Sequence, residues 1–555
     1  MSQPNRLFKT LAFFLGLGFL GLNAFPSETS LPPQSKRESS LYRDINDQNI
    51  YNAGVQYLYL GRLYRGLFHM RKRALDVNVF DEVPDSDFFV NRHSRNRMPL
   101  EEIKRGPSVT SGPDLSGPWT IYKGKFDGIT PGFFIKDSKG DKYLLKFDPV
   151  EELEAGTGAE VVSSRLVYAS GYNVPQYTIV NFKKEQLTVA PGGAMIYDDS
   201  GFRKKLTPER LEEFLLFIPQ TKDGSYRASA SRILEGKILG PMKFQGRRSG
   251  DPQDLIDHEN RREIRALQVI SSWINNNDVR ESNSLDVIEE KEGRPFIRHY
   301  MIDFNSSLGA TPRGAKPPQF GHEHMIDYGE TLKAVLTLGL AKKPWQKRWD
   351  EANREVPSTA VGYFDNRYFD PGKYKTQLPH FAFKDLTRAD AFWAAKIIMT
   401  FTDEEIRAAV STGEFSDPKV SEEIAKTLIE RRDLIGRYWF EQANPLDHFK
   451  WAGPTASNEL QFEDLAVRYG FAKEGTSAYR FEIMEGNGKK ARRIAEEETS
   501  EEHFTINPEW LNDHSSLDIL IRTRRPGAKT WGPAVLVKIK RGSEGLHLAG
   551  IFHQD

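Results

Sequence analysis

The spacing of hydrophobic and polar positions changes several times along this chain, and each change predicts a different kind of element. From Trp119, the segment PWTIYKGKFDGITPGFFIKDSKGDKYLLKFDP alternates short apolar runs with glycine-containing turns, the pattern of a β-meander, and the turn around Asp141 separates two of its strands. The stretch AEVVSSRLVYASG, near 158 to 170, then places Val162, Leu166 and Ala169 on one helical face, with Gly171 positioned to end the helix. A further strand, VPQYTIVNF, follows. Between 254 and 275, Ile264, Leu267, Ile270, Trp273 and Ile274 recur at three- and four-residue spacing and predict a long helix. The run DHENRREIR, from Asp257 to Arg265, reads as the charged face of this helix. Residues 327 to 445 read as mainly helical, and Ile424, Leu428, Ile435 and Trp439 share a stripe in the last helix. After Pro454 the period falls to two. Leu517, Ile519 and Ile521 share one face, as do Val535, Val537 and Ile539. With turns at Gly486-Asn487-Gly488 and Pro526-Gly527, this tail predicts a small β-sandwich or barrel.

These patterns describe an α+β chain in five parts. Residues 1–26 carry Arg6 and Lys9, an apolar stretch from Leu11 to Leu22, and Ala24 before Phe25-Pro26, the layout of a secretory signal. The apolar run is short for a membrane span. Leu22 is bulky where a small residue favours cleavage, so an uncleaved anchor is the alternative. Either way the expected location is extracytoplasmic: periplasm, cell envelope or secreted. Residues 27–118 hold a Ser/Pro-rich linker and a polar, aromatic segment to which no chemistry is assigned. Residues 119–250 are β-rich, 251–450 helical and 455–555 β-rich again.

Composition narrows the chemistry. The 555 residues include no cysteine, which removes disulfide frameworks, thiolate metal sites and cysteine nucleophiles, so any metal must sit on oxygen or imidazole ligands. Lys and Arg (77) balance Asp and Glu (77), so net charge gives no reason to expect nucleic acid as a partner. The P-loop and nucleophile-elbow motifs are absent.

One segment does carry a chemical pattern: ALQVISSWINNNDVRESNSLDVIEEKEGRPFIRHYMIDFNSSLG. Asp278 is followed five positions later by Asn283, and an apolar strand then runs into Asp303. Phosphoryl transfer from ATP needs a carboxylate to orient or deprotonate the acceptor hydroxyl and oxygen ligands to hold Mg2+ on the phosphates. Asp278 is the candidate base, and Asn283 and Asp303 are the candidate metal ligands. The spacing alone is weak, since Asp44/Asn49 and Asp47/Asn52 repeat it in a polar segment; the helix before Asp278 and the strand ending in Asp303 distinguish this instance. Upstream, Lys146 lies on a predicted strand where an amine can neutralise nucleotide phosphates, and Glu160, opening the next helix, is its candidate partner. Gly124, Gly128 and Gly132 could let backbone amides approach a phosphate. Asn305, two residues after Asp303, is of one of the few residue types that tolerate positive φ. His322, Glu323, His324 and Asp327 are close enough in sequence to hold a divalent metal, although loop groups of this kind are more often solvated or packed.

The ordered set of meander, Lys strand, Glu helix, strand, long helix, W-I-N-N-N-D-V-R-E-S-N and I-D-F resembles the atypical kinases of the HipA toxin, phosphatidylinositol kinase and secretory-pathway kinase superfamily, over residues 119 to 445. The GYNVP that follows the Glu helix is similar to HipA-type N-lobes. The resemblance implies a two-lobed protein-kinase-like core, with a β-rich N-lobe and a helical C-lobe, and an appended C-terminal all-β domain. It also implies ATP and Mg2+, with Mn2+ as an alternative metal, and a hydroxyl-bearing acceptor that is a protein, glycan or lipid. Matched by motif, Asp278 takes the catalytic position, Asn283 and Asp303 the metal pair, Lys146 the phosphate contact and Glu160 its partner. The chain departs from the pattern after Asp278, where Val279 and Arg280 replace the usual His, and its Gly-rich loop is loose. Because nucleotide is scarce outside a bacterial cytoplasm, the export signal makes a non-catalytic, kinase-fold binding or scaffold protein of the cell envelope the alternative expectation.

Overall fold

The computed structural model describes residues 72–125, 130–150, 152–197, 203–343, 345–347, 360–452, 458–485, 492–507, 509–510, 516–543 and 545–555. The leader, the linker, Gly128 and the Gly486-Asn487-Gly488 turn lie outside the described residues.

The described chain begins with a segment of little regular structure that ends in the short helix α1 (Leu100–Arg105). Its apolar residues Val83, Phe88, Phe89, Met98 and Ile103 are buried in the core of the helical lobe, so this part of the 27–118 region packs as an integral layer of the fold.

The N-lobe is a six-stranded sheet in the order β4-β8-β3-β2-β1-β5. Its strands are β1 (Trp119–Gly124), β2 (Gly132–Lys136), β3 (Lys142–Phe147), β4 (Tyr177–Phe182), β5 (Leu187–Val189) and β8 (Tyr226–Arg232). All neighbours are antiparallel except β1 and β5. β6 (Ala194–Tyr197) and β7 (Arg203–Leu206) form a separate hairpin. Strand alternation sends Tyr143, Leu145 and Phe147 of β3 into the lobe's core with Trp119, Ile121, Phe133 and Ile135, and leaves Lys146 on the opposite face. Between β3 and β4 runs α2 (Ala155–Ala169), buried along almost its whole length. α3 (Pro208–Leu216) covers the sheet core with Leu211 and Leu215; Thr207 caps it and Pro208 starts it.

The strand β9 (Lys237–Gly240) pairs with the long hairpin β10 (Ser284–Lys291) and β11 (Arg294–Met301), and α4 (Arg262–Trp273) lies between them in sequence. A two-residue ladder, β12 (Ala310–Thr311) with β13 (Gly314–Ala315), precedes α5 (Tyr328–Leu336). The helical lobe is completed by α6 (Phe381–Lys384), α7 (Arg388–Met399), α8 (Asp403–Ser411) and α9 (Pro418–Gln442). Capping boxes at Thr387/Asp390 and Thr402/Glu405 start α7 and α8. The predicted stripe on α9 is buried at Ile424, Leu428 and Ile435. The stretch expected to be mainly helical also contains irregular chain between 360 and 380.

The C-terminal region has its own core and two sheets. One is β14-β15-β18, from Leu446–Ala452, Glu459–Asp464 and His503–Thr505; the other is β17-β16-β19-β20-β21, from Arg492–Thr499, Ala478–Glu485, Ser516–Arg524, Ala534–Gly542 and Gly545–His553. The two-residue alternation buries Leu517, Ile519, Ile521, Val535, Val537 and Ile539 together. The α+β class, the two-lobed kinase-like core and the appended β region expected from the sequence are all present.

The main departure concerns α4. It starts at Arg262, after a 3-10 turn at His258–Asn260, and the run expected to be its charged face is buried apart from the exposed Asp257 and the half-buried Asn260. Arg262 Nε donates to Asp390 Oδ1 (2.9 Å) and Nη2 to Asp81 Oδ1 (2.9 Å), while Arg265 Nη1 donates to Asp390 Oδ2 (3.1 Å). Asp81 also meets Arg73 at 3.0 Å and the backbone N–H (3.2 Å) and Nδ1 (3.0 Å) of His553. One carboxylate thus joins the N-terminal segment, α4 and the last strand. Burial alone would raise the Asp81 carboxyl; the Arg262 guanidinium, the His553 hydrogen bond and Arg73 outweigh it and hold the group well below the usual carboxylate range.

A group with a depressed folded pKa stabilises the protein above its unfolded pKa and loses that contribution as pH falls. Asp81→Asn, which leaves Arg262 under-compensated, is expected to cost about 3–5 kcal/mol at pH 7. Urea unfolding followed by tryptophan fluorescence should show this gap narrowing as pH drops below about 4.

Candidate functional site

β3 delivers Lys146 to the face away from the N-lobe core, where its Nζ donates to Glu160 Oε1 at 2.5 Å and to Asp303 Oδ1 at 2.9 Å. Register explains the first contact's support. Lys146 lies opposite Ser229 on β8, and Ser229 Oγ donates to Glu160 Oε2 at 2.5 Å. α2 begins at Ala155, so Glu160 stands in its second turn, fully buried, where it neutralises Lys146; it does not open the helix. One turn on, Ser163 Oγ lies 2.7 Å from Ser307 Oγ, so the same helix face braces the chain just past Asp303. Burial would lower the Lys146 amine, but Asp303 and Glu160 raise it above its ordinary range and keep it a cation.

Asp303 follows β11 with φ of +63°, a left-handed conformation rare outside glycine and typical of over-determined functional loops. The positive φ falls on this carboxylate; Asn305, of a type that tolerates it, is instead a tether whose Nδ2 donates to Thr130 Oγ1 at 2.8 Å. That bond ties Thr130, just before β2, to the segment that follows Asp303. Lys125, just after β1, donates to the Thr130 carbonyl at 3.0 Å. Burial pushes the Asp303 carboxyl up, but Lys146 and then Lys125 outweigh it and hold it below its ordinary value.

The β10–β11 hairpin unites the two halves of the motif. Ser284 pairs with Met301, so Asn283, just before the hairpin, meets Ile302, just after it: Ile302 N–H donates to the Asn283 carbonyl at 3.0 Å. Asn283 Nδ2 in turn donates to the Asp278 carbonyl at 2.7 Å and to Asp278 Oδ2 at 3.2 Å, leaving Asn283 Oδ1 as its atom for a cation. Asp278 Oδ1 accepts no hydrogen bond among the described residues and lies 3.3 Å from Arg280 Nε in an ion pair. Burial raises the Asp278 carboxyl, Arg280 opposes the rise and the charge on Asp303 adds to it. The structure therefore joins Lys146 to Glu160 and Asp303, joins Asn283 to Asp278, and links the two sets through the Ile302–Asn283 backbone bond.

The glycines have a simpler local reason. A Cβ on Gly132 would overlap the Leu145 carbonyl, and one on Gly124 would crowd Met195 and Ile196, so close strand packing accounts for both. Of the His322 group, His324 Nδ1 bonds the Thr376 carbonyl (2.6 Å), Glu323 pairs with Lys343 (2.8 Å), and Asp327 caps α5 and meets Lys375 (2.6 Å). Among the described residues no set of three or more His, Asp or Glu is gathered to hold a metal. Asn283 and Asp303 together offer a sparse, oxygen-only pair, the donor set that suits Mg2+ when substrate phosphates and water complete its shell.

Sequence reading missed Arg280, Lys125 and Thr130 as members of the site. Arg280 was visible as a departure from the motif; the other two had no signal beyond proximity to the loose glycine loop.

No protein-family model matches the sequence, and no curated protein matches it. Among solved structures, a Helicobacter pylori proinflammatory kinase, CtkA, aligns at 12% identity over 59% of this chain and 97% of its own, with a TM-score of 0.31. The Golgi casein kinase aligns at 10% identity over 77% of this chain and 94% of its own (TM-score 0.28). A hydra Fam20 structure with sugar aligns at 13% identity over 59% and 93% (TM-score 0.23). The kinase-like fold of this chain is described by its own six-stranded sheet, its helical lobe and the contacts that join Lys146 to Glu160 and Asp303 and Asn283 to Asp278.

Proposed function

We propose that this protein is an exported, Mg-ATP-dependent phosphotransferase that moves the γ-phosphate to a hydroxyl of a protein, glycan or lipid. The observation that carries the reading is the buried Lys146, shared by Glu160 and Asp303, beside a hydrogen-bonded Asp278–Asn283 pair. Each element has a distinct task. Glu160 aims the Lys146 ammonium at the nucleotide phosphates. Asn283 Oδ1 and the Asp303 carboxylate hold Mg2+, which when bound neutralises charge on the phosphates. Asp278 takes the proton of the acceptor hydroxyl; burial raises its carboxyl and so makes it a better proton acceptor than an ordinary aspartate. Arg280, paired with Asp278, offsets charge that develops at the transferred group.

Export is supported by the leader sequence, and among the described residues no helix is long and apolar enough to cross a membrane. Expression with the native leader should yield a mature protein whose intact mass begins at Phe25; retention of residues 1–24 on a membrane fraction would establish the uncleaved anchor.

Asp278→Asn should leave Mg-ATP binding intact while lowering transfer by about 100- to 10,000-fold, measured by mass spectrometry of acceptor products formed from labelled ATP. Asp303→Ala should weaken the Mg-dependent part of nucleotide binding in calorimetric titration. A wild-type protein that binds Mg-ATP yet shows no transfer sensitive to Asp278→Asn is the non-catalytic binding protein instead, and one that binds no nucleotide overturns both.

A further inference from the structure

Lys316 is a second fully buried lysine, and no motif includes it. Its Nζ donates to the Asn275 carbonyl and to the Ser306 carbonyl, each at 2.6 Å. The first acceptor stands at the foot of the Asp278 loop. The second stands three residues past Asp303. Both loops are strained close to these points, with φ of +52° at Asn275 and +63° at Asp303, and strained backbone persists only where its surroundings over-determine it. A packing residue here would be apolar, because burying an amine carries a desolvation cost that only good acceptors offset.

The chain delivers this lysine with care. Gly309, at φ +88°, turns the segment, and a Cβ there would overlap the Val361 carbonyl. The β12–β13 ladder then reverses it, and Lys316 N–H closes on the Gly309 carbonyl at 2.6 Å. A parallel tie, Leu308 N–H to the Ile274 carbonyl at 2.9 Å, joins the same two loops by backbone alone.

We propose that Lys316 is a positioning residue that clasps the Asp278 loop to the Asp303 loop and so fixes the separation of the base from the metal-binding carboxylate. The role in catalysis rests on the phosphotransfer reading; the clasp itself does not. Burial pushes the amine down to about 7, with the Asp278 charge opposing the shift and Arg431 adding to it. The ammonium has three N–H donors and the neutral amine two, so both carbonyls are satisfied in either state.

The test compares wild type with Lys316→Met, which keeps length and loses the donors, and Lys316→Arg, which restores donors. Lys316→Met should lower kcat by about 100-fold, the scale of a small misplacement of reacting groups, with KM for ATP moving less than about threefold. Lys316→Arg should recover part of kcat. In hydrogen exchange, amides of residues 274–278 and 303–308 should exchange faster in Lys316→Met, while those of the C-terminal sheets stay unchanged. An unchanged kcat, or a loss carried by KM alone, overturns the positioning role. Should Lys316→Met not fold, Lys316→Arg decides: kcat near wild type supports the role, and a folded enzyme with less than about 1% of wild-type kcat overturns it. If wild type transfers no phosphate, the functional reading falls separately, and exchange alone judges the clasp: unchanged rates at 274–278 and 303–308 overturn it.

Discussion

Lys146 is an ammonium group with almost no contact with water, and the electrostatic demand it makes organises both lobes. An isolated buried cation is too costly to persist, so it must be met by carboxylates held in place by the fold. Glu160 comes from a helix packed between the lobes and Asp303 from a loop of the helical lobe. Neither side can swing away without stranding a charge. The Ser229 hydroxyl, the Ser163–Ser307 contact and the Asn305–Thr130 bond each reinforce one of those carboxylates or the segment beside it. Charge pairing holds the two lobes together at Lys146, and the proposed chemistry uses the same groups.

A second buried charge network does comparable work at the start of α4. Arg262 and Arg265 project from α4 toward Asp390 and Asp81, and His553 from the final strand meets Asp81 as well. The N-terminal segment, the helical lobe and the C-terminal β region are thereby registered against one another. α4 is common to both arrangements: its first turn anchors the Asp81 network and the loop after its last turn carries Asp278. A structural hub at one end of a rigid helix therefore stands behind the positioning of the candidate base at the other.

Much of the fold could be read from periodicity, because burial of one face is a local property of a strand or helix. Alternation placed Val535, Val537 and Ile539 together, and three- and four-residue spacing placed Ile264, Leu267 and Ile270 together; both groups are buried as expected. The same logic misread DHENRREIR, since a charged run normally faces water. Its arginines are buried because their partners, Asp81 and Asp390, arrive from segments far upstream and far downstream in sequence. The start of α2 was likewise displaced, because glycines at 156 and 158 hide a helix that tertiary burial stabilises in spite of their low propensity.

The sequence by itself determined the α+β class and singled out Lys146, Glu160, Asp278, Asn283 and Asp303 as candidates, because the order of strand, helix and loop motifs is written along the chain. The tertiary structure decided what those residues touch. The β10–β11 register sets Asn283 against Ile302, the sheet register sets Ser229 beside Lys146, and a short ladder brings Lys316 beneath both loops. Such contacts depend on strand pairing and loop closure between distant segments, and no local periodicity encodes them.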